Sequence, residues 1–133
     1  MKIGLEIHVQ LPTKSKMFCS CPTTGADLPN THVCPVCLGL PGSKPSLNKQ
    51  AVVLGLTIAK KLGCSIPDTT WFSRKTYFYP DLCKHFQITQ YDMPIGLGGV
   101  FYLGKKPIRI TRVHLEEDPG KTKRVGDGSS LVD

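Results

Sequence analysis

The sequence FCSCPTTGADLPNTHVCPVC, residues 18–37, contains two pairs of cysteines in a stretch with almost no apolar periodicity. Cys19 and Cys21 form a Cys-x-Cys pair, and Cys34 and Cys37 form a Cys-x-x-Cys pair. A loop rich in Pro, Gly and Thr buries too little apolar surface to fold around a core of its own. Four thiolates at these spacings could supply the tetrahedral ligands of a structural zinc ion. We therefore expect zinc to hold this loop together.

The cysteines have two other interpretations that stay open at this point: a redox-active Cys-x-x-Cys pair, or thiols that are simply buried. His32 could replace one sulfur ligand of the zinc site. Cys64 and Cys83 have no partner close in sequence, so we expect them to lie outside that site. The predicted zinc-binding loop region covers residues 17–44.

Composition indicates one globular domain, since 40% of the 133 residues are hydrophobic and 20% are charged. No apolar run reaches the ~18 residues of a membrane span. Lys2 and Glu6 interrupt the first apolar segment, where a signal peptide needs an apolar core. We therefore expect a cytoplasmic protein with no membrane partner. The net charge of +7 favours a polyanionic partner such as nucleic acid or nucleotide phosphate.

Hydrophobic periodicity predicts a mixture of helix and antiparallel strands. GLEIHVQL, residues 4–11, alternates as a strand does, with Glu6 and His8 on one face. Further strands joined by hairpins are predicted within residues 71–79, 86–95 and 100–118.

The segment SLNKQAVVLGLTIAKKLG, residues 46–63, has the periodicity of a helix. Ser46 or Asn48 could cap its start, and Gly63 could end it. Its predicted apolar stripe consists of Leu47, Ala51, Leu54, Ile58 and Leu62.

Three adjacent carboxylates, Glu116, Glu117 and Asp118, follow the last predicted long strand. Adjacent carboxylates repel one another unless a cation offsets their charge, and Mg²⁺ prefers such oxygen ligands. If this strand lies beside the first one, Glu116 and Glu117 could converge with Glu6 and His8. A solvated strand end with no ligand is the alternative.

Two further stretches could bind anionic ligands. LGLPGSKP, residues 38–45, is a glycine-bearing loop before the helix, so its N–H groups could approach a phosphate, but the pattern alone favours an ordinary turn. SRKTYFYPDLCKHFQITQYD, residues 73–92, interleaves basic and aromatic residues. That mixture suits a site that binds a nucleotide or the end of a nucleic acid. It suits equally a half-buried sheet whose lysine side chains extend their charged ends to solvent.

The sequence resembles the GatB/GatE family of tRNA-dependent amidotransferase subunits in four ordered segments: GLEIHVQLPTKSKMFCSCP, NTHVCPVCLGLPGSKPSLNKQAV, FSRKTYFYPDLCKHFQITQYDMPIG and IRITRVHLEEDPGK. The resemblance implies that residues 1–133 form the N-terminal part of the catalytic domain, with the remainder of the subunit absent. It implies an α+β, glutamine-synthetase-like cradle, built from an antiparallel sheet with helices and carrying an inserted four-cysteine zinc loop. It also implies an ATP-dependent ligase that phosphorylates the side-chain carboxylate of a misacylated tRNA, Glu-tRNA(Gln) or Asp-tRNA(Asn), and replaces phosphate with ammonia.

The resemblance also assigns residues to this chemistry. Glu6, His8 and Glu117, together with Glu116, are implied to line the magnesium and phosphate site. Lys75, Tyr77 and Lys84 match family positions where ammonia meets the activated substrate. The four paired cysteines match the family's structural zinc site.

Activity is implied only within a complex that contains an amidase subunit, a small C subunit and the misacylated tRNA. Glutamine is the implied amido donor of the ligase, and the choice between the two tRNA substrates stays open. An alternative from another class, a non-catalytic zinc-stabilised RNA-binding module, would need only the basic charge and the cysteine pairs.

Overall fold

The computed structural model describes residues 3–26 and 28–133. Within these ranges the chain forms one α-helix and eight short strands. They are α1 (Lys49–Lys61), β1 (Ser73–Thr76), β2 (Phe86–Thr89), β3 (Gly96–Leu97), β4 (Val100–Leu103), β5 (Lys106–Arg109), β6 (Arg112–Val113), β7 (Thr122–Arg124) and β8 (Ser130–Val132). Lys2, which entered the prediction for the first apolar segment, and Asp27, within the predicted zinc region, lie outside the described residues.

The strands pair antiparallel in twos: β1 with β2, β3 with β6, β4 with β5, and β7 with β8. The predicted α+β class is therefore confirmed at the level of one helix with antiparallel strands. In the part of the chain described here no sheet exceeds two strands. The glutamine-synthetase-like cradle accordingly stays a prediction.

Helix α1 begins where the sequence predicts a cap. The Asn48 side chain accepts a hydrogen bond from the Gln50 N–H at 2.9 Å, which satisfies one of the free donors of the first turn. Lys60 and Lys61 lie in the last turn, where the helix dipole favours positive charge. Gly63 follows with a φ of +69°, a left-handed conformation that glycine adopts without strain.

The buried face of α1 shares Ala51 with the predicted stripe, but its other members are the small residues Gly55 and Ala59. A Cβ atom at Gly55 would come within 2.8 Å of Leu115 Cδ2, so the helix backbone lies directly against that residue. Leu47 of the predicted stripe is 45% exposed. Periodicity identified the helix correctly, but close packing selected its small side chains for the interior.

The prediction of a strand at residues 4–11 is wrong. Residues 3–11 form no strand, and the side chains of Ile3, Leu5, Ile7 and Val9 are between 64% and 84% exposed. Apolar alternation defines two faces, but a strand also needs a neighbour to pair its N–H and C=O groups. The described residues provide none for this segment.

The strand end that carries the acidic residues is attached to β2. The Gln90 N–H donates to the Leu115 carbonyl at 3.0 Å, and the Glu117 N–H donates to the Ile88 carbonyl at 3.0 Å. Thr89 and Glu116 form an isolated antiparallel bridge between these two segments. The pairing carries the acidic side chains to the edge of the β1–β2 hairpin. No helix among the described residues is long and apolar enough to cross a membrane.

Candidate functional site

The four paired cysteines lie together as the sequence predicts. The Sγ atoms of Cys19, Cys21, Cys34 and Cys37 are all within 4.8 Å of one another. The Cys34 and Cys37 sulfurs are 3.8 Å apart, close to the edge of about 3.8 Å that a tetrahedron with 2.3 Å zinc–sulfur bonds requires. The donor set therefore fits a tetrahedral metal ion, and among the described side chains it is the one such group with all donors this close.

Local interactions shift the pKa values of thiols in this cluster in opposite directions. Hydrogen bonding from the Cys37 backbone is the main cause that lowers the pKa of Cys34, to about 7. Burial raises the pKa of Cys21 to about 12. The Cys34 N–H also donates to Cys37 Sγ at 3.1 Å. Because close thiols resist simultaneous ionisation, a cation is needed to hold all four as thiolates.

The other thiols and His32 lie outside this group, within the part of the chain that is described. Cys64 is buried, and burial raises the pKa of its thiol. Cys83 is exposed, with its sulfur 3.9 Å from the carbonyl oxygens of Cys37 and Leu38. The prediction that neither cysteine joins the cluster agrees with these positions.

A second cluster, of acids and imidazoles, is centred on Glu116. His8 Nδ1 is 3.2 Å from Glu116 Oε1, and His114 Nε2 is 3.4 Å from Glu116 Oε2. Glu6 Oε1 lies 3.7 Å from His8 Nε2. The Thr89 hydroxyl donates to Glu116 Oε2 at 3.3 Å. Carboxylate oxygens and imidazole nitrogens together form a donor set that suits a divalent cation.

The burial of this acid–histidine cluster is uneven. The side chains of Glu6 and His8 are 75% and 70% exposed, whereas that of Glu116 is 23% exposed. Both exposed members belong to the unpaired segment 3–11. The structure therefore brings Glu6, His8 and Glu116 together as an open arrangement.

The side chain of Glu117 contacts different residues from those around Glu116. Its Oε2 atom accepts a hydrogen bond from Lys84 Nζ at 2.7 Å, and its Oε1 atom accepts one from the Ile88 N–H at 2.7 Å. The Lys84 side chain is 3% exposed. Each carboxylate oxygen has more than one lone pair, so acceptor capacity remains on Glu117 beside these two bonds.

Two buried glutamines fix the backbone that carries these acids. Gln90 Oε1 accepts hydrogen bonds from the N–H groups of Ile95 at 3.1 Å and Leu115 at 3.0 Å. Gln87 Nε2 donates to the Glu117 carbonyl at 2.8 Å. Gln90 is 2% exposed, so water cannot replace these bonds easily. The glutamines thus position the acidic strand end.

The remaining family-matched residues lie on or just after β1. Lys75 is exposed and opposite Gln87 in the β1–β2 register. The Tyr77 hydroxyl donates to Asp81 Oδ2 at 3.2 Å, and burial together with this carboxylate raises the pKa of Tyr77. Asp81 Oδ1 is buried without a hydrogen-bond partner among the described residues.

In the glycine-bearing loop at residues 38–45, several N–H groups are already used in turns. The N–H groups of Gly39, Leu40 and Ser43 donate to carbonyl groups of the same segment and of the residues just before it. A phosphate cradle needs such donors free and convergent. A Cβ atom at Gly39 would overlap Lys84 Cβ, so the loop packs directly on that lysine.

Sequence reasoning missed several members of this region. His114 stands beside the acids in the sequence but was not assigned to the site, and Thr89, Asp81 and Gln90 were not predicted to belong to it. A usable signal existed for Gln90, because a glutamine in an otherwise strand-like segment must find partners if it is buried. The spacing of Asp81 and Tyr77 carries no comparable signal.

A family model described as the GatB/GatE catalytic domain matches residues 1–133. Three similar curated proteins are each named as the B subunit of aspartyl/glutamyl-tRNA(Asn/Gln) amidotransferase. The protein from Methanospirillum hungatei is 59% identical over 129 residues, 93% of this chain and 27% of its own length. The protein from Thermus thermophilus is 53% identical over 133 residues, 98% of this chain and 28% of its own length.

The third, from Halobacterium salinarum, is 54% identical over 129 residues, 93% of this chain and 26% of its own length. The chain therefore spans between a quarter and a third of the length of these relatives.

Proposed function

Because the chain belongs to the GatB/GatE catalytic-domain family, we propose that it forms the N-terminal part of an ATP-dependent, tRNA-dependent amidotransferase subunit. Its substrate is a tRNA misacylated with glutamate or aspartate. The observation that carries the proposal is the family match over residues 1–133, and the acid–histidine cluster around Glu116 supports it. The partners are an amidase subunit that supplies ammonia and a small third subunit.

The reaction has two steps. A side-chain carboxylate oxygen attacks the γ-phosphorus of ATP, and the bond to the bridging oxygen breaks to release ADP. Ammonia then attacks the carbonyl carbon of the acyl phosphate, the carbon–oxygen bond breaks, and phosphate leaves as nitrogen loses a proton. Phosphorylation is required because a carboxylate is a poor electrophile.

Glu6, His8 and Glu116 would hold Mg²⁺ in this scheme, and Glu117 would provide a further carboxylate. When bound, the ion neutralises phosphate charge and orients the phosphoryl group. His114 and Thr89 hold Glu116 in position. Lys84 and the Ile88 N–H hold Glu117 in the same way.

Ammonia would arrive on the side of Tyr77, Lys75 and Lys84. The buried Asp81 Oδ1 atom supports this assignment, because a carboxylate oxygen with no partner among the described residues can accept a hydrogen bond from an incoming N–H group. Tyr77 donates to the other oxygen of Asp81 and so orients the carboxylate.

The four-cysteine cluster would hold structural zinc. Lys16 brings a positive charge to this cluster, with its Nζ atom 3.9 Å from Cys37 Sγ. A positive charge at that distance offsets part of the excess negative charge of a zinc ion with four thiolate ligands.

A second candidate function is a non-catalytic zinc-stabilised RNA-binding module. One observation favours it: Phe78 and Tyr79 are 73% and 62% exposed beside the basic strand β1. Exposed rings next to basic side chains can stack with bases while the cations hold phosphates.

ATP hydrolysis by the complete protein with its partner subunits separates the two functions. The amidotransferase proposal predicts turnover stimulated by glutamyl-tRNA, lost in EDTA, and lost in Glu116→Gln. Asp92→Asn serves as the matched control, because Asp92 is exposed and distant in sequence from the acids. Binding of tRNA without stimulated turnover would favour the RNA-binding module.

A further inference from the structure

A small cavity lies between the loop at residues 39–45 and the β1–β2 hairpin. Its volume is about 200 Å³, and Arg74, Lys84 and Phe86 form one wall. Val36, Leu40 and Pro41 are among its other lining residues. The cavity therefore combines two cationic side chains with polar groups of the loop and a smaller apolar surface.

Both cations are held against the same aromatic ring. The guanidinium carbon of Arg74 lies 4.5 Å from the centre of the Phe86 ring, and Lys84 Nζ lies 4.8 Å from it. Such contacts restrict where each cation points. Phe86 thus fixes two positive charges at the edge of one cavity.

Among the described residues, one of these two charges has a carboxylate partner. Lys84 pairs with Glu117 at 2.7 Å. Arg74 forms no ion pair with a carboxylate anywhere in the described ranges. The cavity wall therefore carries about one net positive charge, and an arginine fork can bind a carboxylate with two parallel hydrogen bonds.

The shape and donors of the cavity favour a carboxylate over a nucleotide phosphate. Ligand sites for drug-sized molecules span roughly 300–1,000 Å³, so this one holds a short chain rather than a nucleotide. The loop N–H groups of Gly39, Leu40 and Ser43 already donate to nearby carbonyl groups. The apolar side chains of Val36, Leu40 and Pro41 suit the CH₂ groups of an acidic side chain.

We propose that this cavity binds the side-chain carboxylate of the glutamate or aspartate esterified to tRNA, with Arg74 as its principal anchor. The proposal rests on the proposed function and adds the acceptor subsite to it. Lys84 links the two parts of the site, since it lines the cavity and also contacts Glu117. Arg74 keeps the acceptor carboxylate ionised and holds it on the side of Lys84 and Glu117.

Calorimetric binding to the complete complex tests this assignment without requiring turnover. The probes are 3′-(glutamylamino)-3′-deoxyadenosine and its glutaminyl counterpart, which mimic the charged tRNA end and differ only in the side-chain charge. We expect the glutamyl mimic to bind at least ten-fold more tightly, and Arg74→Gln to remove that preference. Arg109→Gln, an exposed arginine in β5, is expected to retain it.

Equal affinity for the two mimics, or a preference that survives Arg74→Gln, overturns the proposal. A third titration uses ATP with Mg²⁺, and its affinity is expected to stay within two-fold of the native value in Arg74→Gln. A ten-fold loss there would assign the cavity to a nucleotide phosphate and also overturn it. If the mimics are discriminated while charged tRNA fails to stimulate ATP hydrolysis, the subsite stands and the proposed reaction fails.

Discussion

The ammonium group of Lys84 lies 2.7 Å from the carboxylate of Glu117, and the two side chains are only 3% and 14% exposed. The pair connects two parts of the molecule. Lys84 touches the loop that follows the cysteine cluster, and Glu117 touches the backbone of β2. A buried ion pair at this junction makes the geometry of the site depend on both partners.

Replacing Lys84 with Met should destabilise the protein by about 3–5 kcal/mol, because Glu117 is then left buried without its counter-charge. The double variant Lys84→Met/Glu117→Gln should recover part of that loss, since it leaves no unpaired charge. Denaturant unfolding of the single and double variants measures the coupling. Losses that simply add would contradict a direct pair.

Gly39→Ala should be more destabilising than Gly42→Ala. Both glycines have positive φ, +67° and +80°, so each alanine incurs a similar backbone cost of about 1–2 kcal/mol. Only at Gly39 would the new Cβ also overlap Lys84, whereas nothing lies within 4 Å at Gly42. Thermal unfolding midpoints of the two variants provide the comparison, and equal midpoints would show that the loop does not press on Lys84.

Gln90→Leu should cost about 1–3 kcal/mol for each N–H group that loses its acceptor. The amide oxygen of Gln90 serves both Ile95 and Leu115, and leucine offers no replacement. Gln50→Leu, at an exposed position of α1, is the matched control and should change stability little. Hydrogen exchange at the Leu115 amide should accelerate in Gln90→Leu alone, and an unchanged rate would remove the positioning role.

Zinc content should be about one ion per chain and should depend on the four clustered cysteines. Cys21→Ser and Cys34→Ser should each lose the metal, because three thiolates bind it far more weakly than four. Cys83→Ser keeps all four clustered sulfurs and should retain it. Elemental analysis of the purified variants measures the zinc content per chain. A Cys34→Ser variant that retains about one zinc ion per chain would exclude the four-cysteine site.

The parts of this structure that the sequence predicts well are those set by local spacing. Asn48 caps α1 because a side-chain acceptor before an amphipathic run is sufficient for a cap. The cysteines converge because short spacings within each pair limit where the sulfurs can go.

Pairing between segments distant in the chain was harder to predict from the sequence. The alternation at residues 4–11 could not reveal whether a partner strand exists, and none is present in the described part of the chain. The partners of the adjacent acids Glu116 and Glu117 were equally hard to predict from the sequence. Glu116 faces the histidines and Glu117 faces Lys84, a division set by the bridge between Thr89 and Glu116 rather than by the residues themselves.

Oxygen-18 transfer would show whether the tRNA-bound carboxylate is phosphorylated before ammonia attacks it. Glutamyl-tRNA labelled in both side-chain carboxylate oxygens is incubated with the complete complex, ATP, Mg²⁺ and an ammonia source, and the released phosphate is analysed by mass spectrometry. If an acyl phosphate forms, each phosphate released with the amide carries one labelled oxygen. Amide formation with unlabelled phosphate would contradict an acyl phosphate and, with it, the proposed reaction.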